Sequence, residues 1–271
     1  MKKLFLLLSV PFLSWSLYSC SSSTTSETVS DDSTMVEEAP VTLSPAPASP
    51  EYTDAMLEIT GPTEGQTLPS GDSVAFSYNV TNYELGVVTE DASQKPLANS
   101  ADGQHVHLIL NNDPYHAIYK PEGFKLALDD GHYVALSFLS RSYHESVKNP
   151  EAYKVVQFTV GEGETEEVDL AAPMLFYSRP KGTYTGKDTE QLLFDFYLVN
   201  TEIGAGGNQV RVTVNGDTTM MVNEWKPFVL KGLPMGENTV KVELVDSEGN
   251  LIDSPFNSEE RTFTLEEGTD S

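Results

Sequence analysis

The run Val74-Ala-Phe-Ser-Tyr-Asn-Val-Thr-Asn-Tyr-Glu-Leu-Gly86 returns as Leu192-Leu-Phe-Asp-Phe-Tyr-Leu-Val-Asn-Thr-Glu-Ile-Gly204. Each copy opens with apolar residues at every second position: Val74, Phe76, Tyr78 and Val80, then Leu192, Phe194, Phe196 and Leu198. Period two is the signature of a half-buried strand. Outward from this pair the correspondence continues. Val106-His-Leu-Ile-Leu-Asn-Asn-Asp113 matches Val210-Arg-Val-Thr-Val-Asn-Gly-Asp217, and Phe124, Leu126, Leu128 and Gly131 match Phe228, Leu230, Leu233 and Gly236. Phe158 and Val160 match Phe263 and Leu265. The turns Asn111-Asn-Asp113 and Asn215-Gly-Asp217 carry the residues that tight hairpins require.

The pattern predicts an all-β protein of two tandem immunoglobulin-like or fibronectin-like β-sandwich domains related by internal duplication, spanning 56–164 and 170–268. The copies differ in one place. From Gly86 to His105 is 19 positions, whereas from Gly204 to Gln209 is 5, so the first copy carries 14 extra residues in an enlarged 87–104 loop. Inserted loops are where such scaffolds tend to place binding. Drift of a surface loop is the alternative.

The N-terminus reads as an export signal. Lys2 and Lys3 precede a mostly apolar stretch from Leu4 to Leu17, and Leu17-Tyr-Ser-Cys20 has the spacing of a lipobox. Residues 1–19 are therefore expected to be a lipoprotein signal peptide, with Cys20 acylated, palmitate included. As the sole cysteine, Cys20 has no partner for an internal disulfide. Several acyl chains anchor durably where one is marginal, and Ser21 after the cysteine favours the outer membrane. Residues 20–55, rich in Ser, Thr, Pro and acidic side chains, read as a disordered tether with a span of roughly 30–35 Å. This places the chain in the cell envelope, with the first domain nearest the membrane.

Charge limits the partners. The net charge is −25, with 16 Lys and Arg against 41 Asp and Glu, which excludes a nucleic-acid partner because counterion displacement needs cations. No cysteine nucleophile, Gly-x-Ser-x-Gly elbow, phosphate loop or His-Glu-x-x-His motif occurs, so no enzyme is indicated.

His105-Val-His107 is the motif with metal chemistry in it. Val106, Leu108 and Leu110 face the core, so the two imidazoles share the other face, about 7 Å apart along the strand. Pairing this strand antiparallel with the later strand that carries His132, Val134, Leu136 and Phe138 brings its start beside Ser140-Arg-Ser-Tyr-His-Glu145. His105, His107, Arg141, Tyr143, His144 and the 87–104 loop then gather at one rim. His105, His107 and His144, with a carboxylate such as Glu145, suit Cu or Zn; exposed histidines without a ligand are the alternative. Arg141 offers a planar fork to a phosphate or other small anionic ligand, with ion pairing to an acidic neighbour as its alternative. Arg179, in Ser178-Arg-Pro180, is the other arginine of note. His132 shares parity with Val134, Leu136 and Phe138 and so reads as a core-side structural residue. Tyr177 is expected at the domain junction. The expected function is a non-enzymatic binding or assembly module, engaging an envelope protein or small anion. Metal binding at the His105/His107 rim and phosphate or phosphopeptide binding near Arg141 are the alternatives.

With Gly103-Gln-His-Val-His-Leu-Ile-Leu-Asn-Asn-Asp-Pro-Tyr115, Phe138-Leu-Ser-Arg-Ser-Tyr-His-Glu-Ser-Val-Lys-Asn149, Leu175-Phe-Tyr-Ser-Arg-Pro-Lys-Gly182 and Gly232-Leu-Pro-Met-Gly-Glu-Asn-Thr239, the chain resembles a group of two-domain bacterial lipoproteins with tandem immunoglobulin-like repeats, whose activity is uncharacterised. The resemblance covers roughly 56–268. It implies the architecture, and for some members a phosphopeptide-binding label; it implies no catalytic residues.

Overall fold

The structure, a computed structural model, describes residues 40–162 and 168–268. The signal peptide, Cys20 and the first half of the expected tether lie outside the described residues. Among the described residues, seventeen strands follow in chain order. The first is β1 (Thr42–Pro45). The first sandwich uses β2 (Met56–Gly61), β3 (Gln66–Leu68), β4 (Ser73–Thr81), β5 (His105–Leu110), β6 (His116–Ile118), β7 (Phe124–Ala127), β8 (Gly131–Ser140) and β9 (Tyr153–Val160). The second repeats this series as β10 (Met174–Arg179), β11 (Gly182–Thr185), β12 (Leu192–Val199), β13 (Gln209–Val214), β14 (Thr218–Val222), β15 (Phe228–Lys231), β16 (Gly236–Val245) and β17 (Glu259–Glu266).

Sheet order obeys the duplication. One sheet of the first sandwich runs β2-β4-β7 and the other β3-β9-β8-β5-β6; the second has β15-β12-β10 and β11-β17-β16-β13-β14. The cores hold the repeat positions the sequence pairs: Phe76, Tyr78, Val106, Leu108, Phe158 and Val160 in one, Phe194, Phe196, Val210, Val212, Phe263 and Leu265 in the other. The hairpin turns also repeat. Asn111 and Asn215 both take positive φ, a conformation Asn tolerates better than most side chains. Asn111 Oδ1 accepts from Val134 N and Asn215 Oδ1 from Thr239 N, each at 2.8 Å.

Two expectations are corrected here. Tether character does not extend to residue 55. Thr42–Pro45 forms β1 and pairs antiparallel with β15, adding a fourth strand to the second sandwich. Beyond it, Lys95 Nζ donates to the Pro47 and Ala48 carbonyls, and Arg141 donates to that of Pro50. Residues 42–50 are thus a strap that touches the second sandwich before the first begins. The physical reason is an open edge at β15, which needs hydrogen-bond partners.

The second correction concerns the His105/His107 face of β5, expected at solvent, and Val134, Leu136 and Phe138 of β8, expected in the first core on the other side; the register puts them on one face. Ile109, Val134, Leu136 and Phe138 pack against Met174, Phe176, Tyr197 and Val199 of β10 and β12, burying one sheet of each sandwich on the other. Phe138 stacks on Tyr197, with centroids 4.7 Å apart. Val134, Leu136 and Phe138 therefore belong to the junction, not the first core. His132 shares their side with His105 and His107, but it sits at the far end of β8 beside Gln157 and Thr159. Tyr177 belongs to the second core, and its neighbour Phe176 to the junction.

Candidate metal centre

The site grows from the neck of the 87–104 loop. Gly86 N donates to Gln104 O at 2.8 Å and Gln104 N to Val87 O at 2.7 Å, closing the loop like a buttonhole. Gly103, at φ +87°, lies so close to Val87 that a Cβ would sit 2.6 Å from backbone atoms; only glycine fits. This turn aims the Gly103 carbonyl at His105 Nδ1, 2.8 Å away. A carbonyl only accepts, so Nδ1 carries the proton and Nε2 presents a lone pair.

His107 follows two residues on, on the same face. Register supplies the third ring: His105 is opposite Ser140, which puts the 141–144 turn beside it. His144 closes that turn through its N–H to Arg141 O at 2.9 Å, with φ at +67°. A β-carbon in this left-handed region carries strain that glycine would avoid, and strain of this kind gathers at functional positions.

The result is a convergence of ring nitrogens. His107 Nε2 is 2.8 Å and His144 Nδ1 3.1 Å from His105 Nε2, and the three atoms lie within 4.8 Å of one another. His105 and His107 are 0% exposed. Tyr115 stacks on His107 at 3.5 Å and places its hydroxyl 3.2 Å from His144 Nδ1. The second sandwich closes the far side. Ser178 Oγ is 3.4 Å from His107 Nδ1, and Lys181 Nζ is 3.7 Å from the centre of the Tyr115 ring. Arg179 donates to Tyr184 Oη at 2.9 Å and lies 5.3 Å from the Tyr115 ring centre.

Electrostatics keeps the imidazoles neutral. Burial pushes His105 down to about 4, with Arg179 and Lys181 adding to the effect and the Gly103 hydrogen bond opposing it. His107 is held well below the usual histidine range by burial first, then by its neighbouring rings and the same two cations. His144 is lowered by burial, then Arg179, His105 and Lys181. Neutral rings with lone pairs turned inward are what a transition metal requires. Zn–N bonds of about 2.0–2.1 Å would spread the donors to roughly 3.4 Å apart, so an ion opens the closest pair by about half an ångström. Carbonyl and hydroxyl partners on the outer ring nitrogens are the usual support for histidine ligands.

No family model matches the chain, and no curated protein matches it. Solved structures resemble it in fold. Fibronectin(III)-like modules of Clostridium thermocellum CbhA are 15% identical with a TM-score of 0.28, over 78% of this chain and 95% of theirs. A Bacteroides ovatus mixed-linkage glucan utilization locus protein, SGBP-B, solved with a heptasaccharide, is 9% identical at 0.23, over 78% and 70%. The two tandem V-type regions of VCBP3, a chitin-binding protein, are 8% identical at 0.23, over 78% and 99%. These values do not bear on what this chain binds.

Of the five residues the sequence gathers at the rim, the structure unites His105, His107 and His144 and sends two elsewhere. Arg141 is buried and engaged: its guanidinium sits 3.1 Å from Glu145 Oε1 and donates to Ser146 O at 3.0 Å and Pro50 O at 2.5 Å. Both terminal nitrogens are thus taken, with Nε buried and unpaired, and Glu145 is withdrawn from the metal set by the same pairing. Tyr143 packs with Ala92, Leu97, Leu193 and Val229, away from the imidazoles. Ala92 and Leu97 of the 87–104 loop belong to the same cluster and brace the two sandwiches. Tyr115, Ser178 and Lys181 were not foreseen. Tyr115 ends a distinctive run and Lys181 follows Arg179, but only the sheet-on-sheet packing brings them to the histidines.

Proposed function

We propose that this chain is an exported, lipid-anchored, non-enzymatic binding protein whose ligand is a transition-metal ion held by His105, His107 and His144. The observation that carries the reading is the set of three ring nitrogens converging at the junction, His105 and His107 fully buried and His144 partly so, with the His105 tautomer fixed by Gly103. In the metal-free fold the three nitrogens and the Tyr115 hydroxyl hydrogen-bond with one another, and a metal ion would take all three lone pairs at once. Attachment through Cys20, at the outer membrane, rests on Lys2-Lys3, the apolar stretch and the lipobox spacing. The enlarged loop buries Thr89, Ala92 and Leu97 and leaves Val87 and Val88 exposed, and the terminal nitrogens of Arg141 are already engaged, so the histidine cluster is the better-supported ligand site.

Calorimetry with Zn²⁺ and with Cu²⁺ on the full chain in detergent tests the reading. One equivalent of at least one ion should bind. His144→Asn, which tolerates the positive φ, should weaken binding at least tenfold while the circular dichroism spectrum stays unchanged. A flat titration with both ions, and with monovalent copper, removes the proposal. Cys20→Ser should release the protein from the membrane fraction, and retention there would refute the anchor.

A further inference from the structure

The same site has a charge environment unusual for a divalent ion. Among the described residues, the group able to hold a metal consists of three histidines, with no carboxylate or thiolate in it. The charges that approach are cations. Lys181 Nζ lies 3.7 Å from the Tyr115 ring centre and donates to the Tyr115 carbonyl at 2.6 Å, and Tyr115 is the ring stacked 3.5 Å from His107. Arg179 stands on the same aromatic ring, 5.3 Å from its centre, and is itself buried. Both cations act on all three imidazoles in the direction that disfavours added positive charge.

Two electrostatic costs then depend on the charge z of a bound ion. Repulsion from Lys181 and Arg179 grows in proportion to z. Loss of hydration in a site with no exposed ligand atoms on His105 or His107 grows roughly as the square of z. Zinc also favours four ligands, and the described donors supply three nitrogens plus a neutral phenol at Tyr115. A soft monovalent ion escapes most of these costs and accepts low coordination numbers.

Resting on the metal-binding reading above, we infer that the junction site selects a monovalent soft cation, Cu(I), over Zn(II). Lys181 and Arg179 act as selectivity residues that discourage divalent ions without touching the bound one.

The test uses the full chain in detergent with three probes: Ag(I) as a redox-inert stand-in, Cu(I) under anaerobic ascorbate with a chromophoric Cu(I) chelator as competitor, and Zn(II). Ag(I) and Cu(I) should each bind at one equivalent, at least 100-fold more tightly than Zn(II), and His144→Asn should weaken both. Lys181→Gln then reads the mechanism. Removing the charge that stands on the Tyr115 ring should improve monovalent binding about fivefold, at an effective dielectric between protein-surface and bulk-water values. The divalent gain should be the square of that, about 25-fold. Zn(II) binding through the three histidines as tightly as Ag(I) would overturn the selectivity and leave the metal-binding reading standing. Equal gains for both ions in Lys181→Gln would overturn the role of the cations. No binding of any of the three ions overturns both readings.

Discussion

Asp195 is a carboxylate with no exposed surface at the junction of the two sandwiches. Its Oδ2 accepts from Ser146 N at 3.0 Å, and its Oδ1 is 2.5 Å from Lys148 Nζ, whose side chain is only 14% exposed. Asp195→Leu removes the carboxylate and leaves the buried ammonium with no counter-charge, held by Ser146 Oγ, and the Ser146 amide without a partner. Removing one member of a buried pair costs about 3–5 kcal/mol. Lys148→Met should cost about the same, because the carboxylate stays buried with one amide left to it. The double variant has no stranded charge; Ser146 N loses its acceptor and Ser146 Oγ a donor, at about 1–3 kcal/mol. The two single costs should therefore exceed the double by at least about 3 kcal/mol, a coupling well beyond what independent sites show. Urea unfolding followed by the fluorescence of Trp225 suits the measurement, because that indole packs edge-on to Tyr197 at 5.0 Å in the same junction. Single costs below about 1 kcal/mol, or costs that add, would refute the view that this pair locks the sandwiches together.

Acid should loosen the metal-free protein. His105 titrates near 4 in the fold and near 6.5 unfolded, so between those values the unfolded chain binds the extra proton and stability falls with pH. The loss is about 3 kcal/mol from this residue by pH 4, absent in His105→Gln; urea midpoints that run parallel for the two from pH 7.5 to 4.5 would contradict it. Glu145, whose raised pKa favours the fold on acidification, is common to both and cancels in the comparison. Excising residues 88–102 should cost more than about 3 kcal/mol, since it strips Leu97 and Ala92 from Tyr143, Leu193 and Val229; an unchanged melting temperature would refute the bracing role. Phe138→Ala should cost about 3–5 kcal/mol and weaken metal binding, because the ring packs against both Tyr197 and His107. Calorimetry and thermal unfolding on one sample check both effects.

The fold was legible because its signal is local and doubled. Alternation at Val74–Val80 reappears at Leu192–Leu198, and hairpin Asn residues stand at matching places. Parity likewise put His105 and His107 on the face opposite Val106 and Leu108, and strand pairing brought His144 to them. What the outer face meets was not legible. Ile109, Phe138, Phe176 and Tyr197 alternate like any strand residues, and alternation in one sheet says nothing about a second sheet covering it. The same blindness turned buried histidines into exposed ones and Arg141 into a free anion site. The strap escaped because Thr42–Pro45 has few apolar residues and gains its order from the ladder that β15 offers.

That strap has a consequence for how the molecule comes together. Thr42 pairs with Lys231, so the earliest strand must wait for nearly the latest before either is complete. A chain delivered N-terminus first presents β1 long before β15 exists, and a contact so distant in sequence forms late. Until then, the open edge of the second sandwich and the Lys95 and Arg141 side chains that clasp residues 47–50 stand without their partners. Docking of β1 is therefore a final latch: it closes only on a molecule whose second sandwich is already built.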